Sequence, residues 1–292
     1  MNDRKQHVIK KAHQLFINKG FQNTSIQDIL EYSGIAKGTF YNYFPSKNDL
    51  LMAIFKSIYI KMEQERNELL VGQNPADIEI FIQQVELQLR VNRANKLLSL
   101  FEEVLVSNDK DLKEFFRNGQ IRVLNWIYQR LTNLFGEDKK PYLLDCAIMF
   151  LGILNHNLKF NTLANESTSN LNQVVRYSVA RLVKIVEEVS ESGDQLMKPE
   201  QLEKWIPDFQ ANKGFFHQQL SSHVLAVKKE FKEQEKYHEL LDFIHEELLH
   251  TKNPRKFLVE STLATLKSDQ NLQKNKDIEQ IEQLTKEYFS RQ

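Results

Sequence analysis

The sequence predicts an all-α fold that opens with a three-helix helix-turn-helix domain. Three observations support this. Glycine (9) and proline (6) are scarce in 292 residues, so long stretches run without strong breakers. Apolar residues recur at helical spacing along most of the chain. No alternating apolar–polar stretch survives comparison with the helical reading. At 41% hydrophobic and 27% charged residues, a folded globular chain is expected rather than a disordered one.

The first helix is predicted over 4–19, where Val8, Ile9, Ala12, Leu15 and Phe16 share one face and Gly20 follows as a C-terminal cap. A second begins at Thr24, which has capping-box spacing with Gln27, and buries Ile26, Ile29 and Leu30. Gly34 marks the turn. A short third helix covers Lys37 to Tyr43, anchored by Phe40 and Phe44 and stopped by Pro45. Ser46 with Asp49 caps a fourth, running to about Leu70.

Further helices are expected at 77–92, 94–107, 110–134, 141–164, 170–192, 200–205, 212–250, 253–268 and 274–290. Gly136 to Pro141 reads as a charged turn. Ser190 to Pro199 reads as the domain boundary of the second half, and with the helix-turn-helix segment at the start the expected domains are 1–50, 51–192 and 193–292. Lys228 to Glu239 reads as a solvated helix face.

Charge balances over the whole chain, 39 basic against 39 acidic residues, but residues 1–47 hold seven Lys/Arg against three Asp/Glu, a net +4. A basic head on a mildly acidic body can bind phosphates locally. The tail 193–292, with 15 basic and 17 acidic residues, is not expected to be a second DNA surface. It is expected to pack on the body through Trp205, Phe209, Phe215, Phe216, Leu220, Leu240, Leu241, Phe243, Ile244, Leu248 and Leu249. The lone Cys146 excludes an internal disulfide and fits a reducing, cytoplasmic setting; its apolar surroundings favour an inert buried thiol over a redox sensor. The longest uncharged apolar-rich run, Cys146 to Leu158, falls short of the ~18 residues of a spanning helix, so no membrane insertion is expected.

Two short helices joined by a tight turn, the second exposing polar and aromatic side chains, form the physical pattern of a DNA reader. Gly38 keeps the second helix slim at its N-terminal end. Thr39 and Tyr41 can reach base edges, and Lys37, Tyr43 and Lys47 offer donors to phosphates. The helix N-terminus after Ser46 adds backbone N–H groups.

The segments Gly-Phe-Gln-Asn-Thr-Ser-Ile-Gln-Asp-Ile (20–29) and Ser-Gly-Ile-Ala-Lys-Gly-Thr-Phe-Tyr-Asn-Tyr-Phe-Pro-Ser-Lys-Asn-Asp-Leu (33–50) resemble the DNA-binding domain of TetR-type repressors. The match runs without a gap over about residues 4–58. It implies phosphate contact at Ser25, a base-reading position at Gln27, recognition-helix contacts at Lys37, Gly38, Thr39 and Tyr41, and backbone contacts at Asn42, Tyr43 and Lys47. Ile26 departs from the Thr found there in some members, so a hydroxyl contact is lost. The resemblance further implies a ligand-binding and dimerisation body, with 141–164 and 170–192 pairing as a four-helix bundle in a homodimer. About 100 C-terminal residues exceed the short members of the family.

His-Glu-Glu-Leu-Leu-His (245–250) spaces its histidines i, i+5, about 140° apart on a helix, unlike the converging i, i+4 of a zinc site. With His217, His223 and His238 it invites a metal reading that this spacing does not support. His156 reads as a satisfied polar position. No Gly-rich phosphate loop, nucleophile elbow or zinc motif occurs, so no enzyme, cofactor or metal is expected. The main reading is a repressor that binds a palindromic operator in double-stranded DNA as a homodimer. A small apolar inducer would enter among Phe81, Phe101, Phe116, Trp126, Met149 and Phe150 and release it; a packed core explains the same aromatics. The alternative is a ligand-independent DNA-bound adaptor that recruits a protein partner through its C-terminal region.

Overall fold

A computed structural model describes residues 3–105, 109–165, 170–205, 211–251 and 254–290, and among these every regular element is helical. The helices are α1 (Asp3–Lys19), α2 (Ile26–Ser33), α3 (Lys37–Tyr43), α4 (Lys47–Glu68), α5 (Ile78–Ala94), α6 (Leu97–Leu105) and α7 (Lys110–Phe135). Then follow α8 (Leu143–Asn165), α9 (Leu171–Ser192), α10 (Pro199–Trp205), α11 (Ala211–Glu230), α12 (Glu235–His250), α13 (Lys256–Ser268) and α14 (Lys276–Ser290). The charged turn before α8 is a short 3₁₀ helix, Glu137–Tyr142, which accommodates Pro141.

Three hydrophobic cores organise these helices. The first joins α1 to α4 with Leu97, Leu100, Val104, Leu112 and Phe116. The second joins α5, α7, α8 and α9 and extends to Leu202 of α10. The third is built within residues 216–284. The cores therefore run across the divisions expected at residues 50 and 192. The segment after α9 is tied down rather than free: Gly193 takes a left-handed conformation (φ 72°) as the cap, and the buried Asp145 carboxylate accepts from the backbone N–H groups of Leu196 and Met197 at 2.7 and 3.1 Å.

The structure corrects two local expectations. Thr24 does not cap α2. Its buried hydroxyl turns inward and donates to the Gly20 carbonyl at 2.7 Å, so Ser25 takes the cap. Ser25 accepts from the Asp28 N–H at 3.0 Å while Asp28 accepts from the Ser25 N–H at 2.7 Å. Gln27 instead donates to Glu31 at 2.7 Å.

The single helix expected at 212–250 is two. The chain reverses at residues 231–234, so Lys228 to Glu239 is not one helix face. Phe231 stacks edge-on against Tyr237 at 5.5 Å and its carbonyl meets His238 Nε2 at 3.1 Å. Folding back lets the apolar faces of α11 and α12 bury each other, which one straight helix of that length could not do.

The tail packs on the body through α11, which lies against α4 and α7. Most of its apolar residues instead build their own core, among them Leu220, Leu241, Ile244 and Leu248. Trp205 lies apart from that core, on α10. Phe209 and the side chain of Phe215 lie outside the described residues. One described stretch, Glu137–Ala164, is long and apolar enough to cross a membrane by length and composition; here 39% of its apolar window is buried, and α8 packs between α7 and α9.

Between α12 and α13, the buried Glu247 accepts from Arg255 N, Nε and Nη2 at 2.8, 2.9 and 2.7 Å. These bonds hold its carboxyl down at about 2. The depressed value means the contribution is complete above the unfolded carboxylate pKa of about 4.3 and is lost as pH falls toward 2. The thermal midpoint of the wild type should therefore drop more steeply between pH 5 and pH 2 than that of Glu247→Gln, as followed by circular dichroism. Parallel acid limbs would refute this role for the pair.

Candidate nucleic-acid interface and body cleft

Helix α3 is held from behind by aromatic packing. Phe40 and Phe44 are essentially fully buried, with ring centroids 5.8 Å apart, and burial of each contributes about 1.5–3 kcal/mol. The opposite side of the short helix is left for solvent. Lys37, Gly38, Tyr41 and Asn42 are exposed and Thr39 half-buried, and the polar ends of Lys37, Thr39, Tyr41 and Asn42 bond nothing else among the described residues. Tyr41 is 43% exposed and rests edge-on against Phe40 at 5.3 Å. A Cβ on Gly38 would meet nothing within 4 Å.

The other expected DNA contacts already have partners within the chain. Ser25 and Gln27 are exposed but engaged with Asp28 and Glu31. Asp28 also pairs with Lys19 at 2.8 Å, and that bond with those from Ser25 keeps its carboxyl far below the usual carboxylate range. Tyr43 is half-buried against the first core.

Lys47 has a structural task that the sequence did not reveal. Its Nζ donates to the carbonyls of Phe21 and Thr24 at 2.9 and 2.8 Å and lies 4.4 Å from the Phe21 ring centroid. Burial lowers its pKa, against the opposing pull of Glu103 and Asp28. An ammonium has three protons, so one remains for a phosphate.

The six aromatic and sulfur-bearing residues expected around one ligand do not come together. Phe81, Trp126 and Phe150 meet in the body core, with Phe81 6.3 Å from Trp126 and 5.7 Å from Phe150. Phe101 and Phe116 belong instead to the core of the head, where Phe116 meets Phe55 edge-on at 4.6 Å. Met149 is 38% exposed on the outer side of α8. The reason is positional: α7 is long enough to serve both cores, so Phe116 near its start and Trp126, nearly three turns further on, face different neighbours.

The body holds an open-sided cleft of about 460 Å³ between α5, α7 and α8, edged by Trp205 of α10. Of the expected six, only Trp126 lines it. Its walls are largely Val85, Leu89, Ile121, Leu124, Leu151 and Leu154, with the amides of Gln88, Asn92, Gln120 and Asn155. Apolar periodicity marks these as buried helix faces, but nothing in the sequence distinguishes a cleft from a filled core. Among the described residues, no group of three or more His, Cys, Asp or Glu is placed to hold a metal. His223 pairs with Asp277 at 2.7 Å and His245 with Ser221 at 2.8 Å. His156 Nδ1 meets the Gly152 carbonyl at 2.9 Å. The Cys146 thiol is buried and its pKa is pushed up to about 11, chiefly by that burial.

Residues 8–54 match the family described as bacterial regulatory proteins, tetR family. Over 272 residues the chain is 28% identical to the uncharacterized HTH-type transcriptional regulator YerO of Bacillus subtilis, covering 91% of this chain and 90% of that one. It is 24% identical over 210 residues to the HTH-type transcriptional regulator YuxN of the same organism, covering 67% of each chain. The HTH-type transcriptional repressor NemR of Escherichia coli is 30% identical over 69 residues, 24% of this chain and 35% of its own. The likeness to YerO is long enough to take in much of the C-terminal helical unit, which is therefore not peculiar to this chain. No solved structure matches.

Two substitutions separate fold from interface. Gly38→Ala should leave stability unchanged or raise it by up to about 1 kcal/mol, because the helix gains propensity and no neighbour is met, while DNA binding falls. Lys47→Ala should cost about 1–2 kcal/mol of stability as well as affinity, since it frees two carbonyls at a partly solvated site. Chemical denaturation alongside duplex titration distinguishes the two patterns. A Lys47→Ala protein of full stability would remove the structural role.

Proposed function

We propose that this chain, which belongs to the tetR family of bacterial regulatory proteins through its N-terminal DNA-binding domain, is a ligand-responsive repressor acting in the cytoplasm. It is a transcriptional regulator with a TetR-type helix-turn-helix. The finer reading is that residues 1–50 read a palindromic operator, residues 51–192 bind the ligand and pair two copies, and 193–292 form an added helical region. The observation that carries it is the outer face of α3, where Lys37, Gly38, Tyr41 and Asn42 are exposed and Thr39 half-buried while Phe40 and Phe44 fix the helix from behind.

Pairing through α8 and α9 is supported by apolar side chains left on their outer faces. Met149, Phe160 and Leu163 on α8 are 38%, 59% and 68% exposed, and Tyr177 on α9 is 57% exposed. A stripe of this kind along two packed helices suits an isologous four-helix contact. Release follows from linkage: a small molecule in the body that binds better when the two α3 helices are wrongly spaced lowers operator affinity by its differential affinity for the two states.

Duplexes selected from a random pool with the purified protein define the operator. Against operator and scrambled duplexes, Tyr41→Ala should cost specific binding about 1–3 kcal/mol and non-specific binding far less. Equal losses on both duplexes would mean that Tyr41 positions rather than reads. Phe160→Glu with Leu163→Glu should give a folded monomer by sedimentation, with operator affinity sharply reduced. A dimer that persists would place the interface elsewhere.

A further inference from the structure

The body contains two buried positive charges with no carboxylate within ion-pair distance among the described residues. Arg66 of α4 is 8% exposed and Arg130 of α7 is fully buried. Arg66 Nη1 donates to Gln88 Oε1 at 2.7 Å, and its guanidinium lies 4.1 Å from the Trp126 ring centroid. Arg130 Nε donates to Gln84 Oε1 at 2.8 Å and its Nη1 to the Pro75 carbonyl at 2.9 Å. Gln84 donates in turn to the Arg66 carbonyl at 2.8 Å. Arg66 Nε and Arg130 Nη2 are buried without a partner. The direct contacts of the two cations are thus amide and carbonyl dipoles and a ring face, and Glu63 attracts Arg66 only from beyond ion-pair distance. Burial brings both guanidinium pKa values down to about 10, so both remain charged at neutral pH.

Gln88 and Trp126, which shield Arg66, are also wall residues of the cleft. A guanidinium only donates, so the Gln88 oxygen must face Arg66, and its amide nitrogen is left without a partner among the described residues. The rest of the wall is mostly apolar, with the further amides of Asn92, Gln120 and Asn155, and among the described residues no Asp, Glu, Lys, Arg or His lines it. Its volume of about 460 Å³ suits a small molecule. We propose that the cleft between α5, α7 and α8 binds a small amphipathic anion, a carboxylate on an apolar chain or ring, with its headgroup at the Gln88 amide and its charge balanced by the guanidinium of Arg66 behind it. The apolar part lies along Leu89, Leu124 and Leu151. The anion supplies a nearer counter-charge than the fold does, and burying a cation without a carboxylate in contact is costly enough to favour it.

This deepens the proposed function by naming the class of ligand, and it rests on the reading that this cleft is the ligand site. The chain has two tryptophans, and both Trp126 and Trp205 line the cleft, so intrinsic fluorescence of the unmodified full-length protein reports on its occupancy. Octanoate, octan-1-ol and octylammonium share one chain and differ in charge. Octanoate should give a saturable change, with affinity on the order of tenfold tighter than octan-1-ol, and octylammonium should give none. Equal affinities for octanoate and octan-1-ol, a preference for octylammonium, or no response to any of the three overturns the proposal.

Gln88→Glu gives Arg66 an internal carboxylate. It should bring octanoate affinity down to that of octan-1-ol or below, and a folded Gln88→Glu protein that keeps the full preference for octanoate also overturns the proposal. Circular dichroism monitors folding. Arg66→Met is the second variant, with the same expected loss of preference, and the wild-type comparison stands without either. Operator release is measured separately with the same probes. Octanoate bound with the operator retained would sink release and leave the anion site. Release by octan-1-ol and octanoate alike would sink the anion site and leave release.

Discussion

The two ends of α4 are packed into different surroundings, and the placement of the head on the body follows from this. At its start the Ser46 hydroxyl caps the helix by accepting from the Asp49 N–H, Lys47 closes the turn between α1 and α2, and Leu50, Leu51, Ile54 and Phe55 sit in the first core. Near its end Arg66 reaches Gln88 of α5 and Trp126 of α7. Close-packed interiors deform little, so neither end of the helix can shift without disturbing the core that holds it. The C-terminal unit adds a third constraint, because α11 lies along α4 and Lys229 reaches the Val71 carbonyl at 3.4 Å.

The polar interior of the body and that of the C-terminal unit solve the same problem differently. Glu247 and Arg255 form a complete pair, with three N–H groups of one residue meeting one carboxylate, and nothing further is required. Arg66 and Arg130 have amides and a carbonyl in place of carboxylates. An amide dipole stabilises a buried cation less than a full negative charge does, so this part of the interior carries residual electrostatic demand. Its position directly behind the wall of the cleft is what gives the demand a chemical consequence.

The head was largely legible because its signals are local. Gly34, Pro45 and the four-residue spacing of Phe40 and Phe44 bound α3 and set its buried side within a single stretch of chain. The cap of α2 was legible only to within a residue. Thr24 and Ser25 are chemically alike, and the choice between them depends on which hydroxyl the fold turns inward to Gly20. The break at residues 231–234 carries neither glycine nor proline; it exists because α11 and α12 each need a partner for an apolar face.

The sequence by itself determined the helical class, most of the helix bounds, the outer face of α3 and the head's likeness to one family of DNA-binding domains. All of these depend on residues within a few positions of one another, where spacing translates directly into geometry. Tertiary structure alone decided that Lys47 is tied to two carbonyls, that the expected ligand aromatics divide between two cores, and that a cleft opens beside Gln88 with Arg66 behind it. Those facts depend on pairs such as Arg66 with Gln88 and Arg130 with Gln84, 22 and 46 positions apart. Periodicity fixes which face of a helix is buried, but only the packing of helices against one another fixes what that face meets.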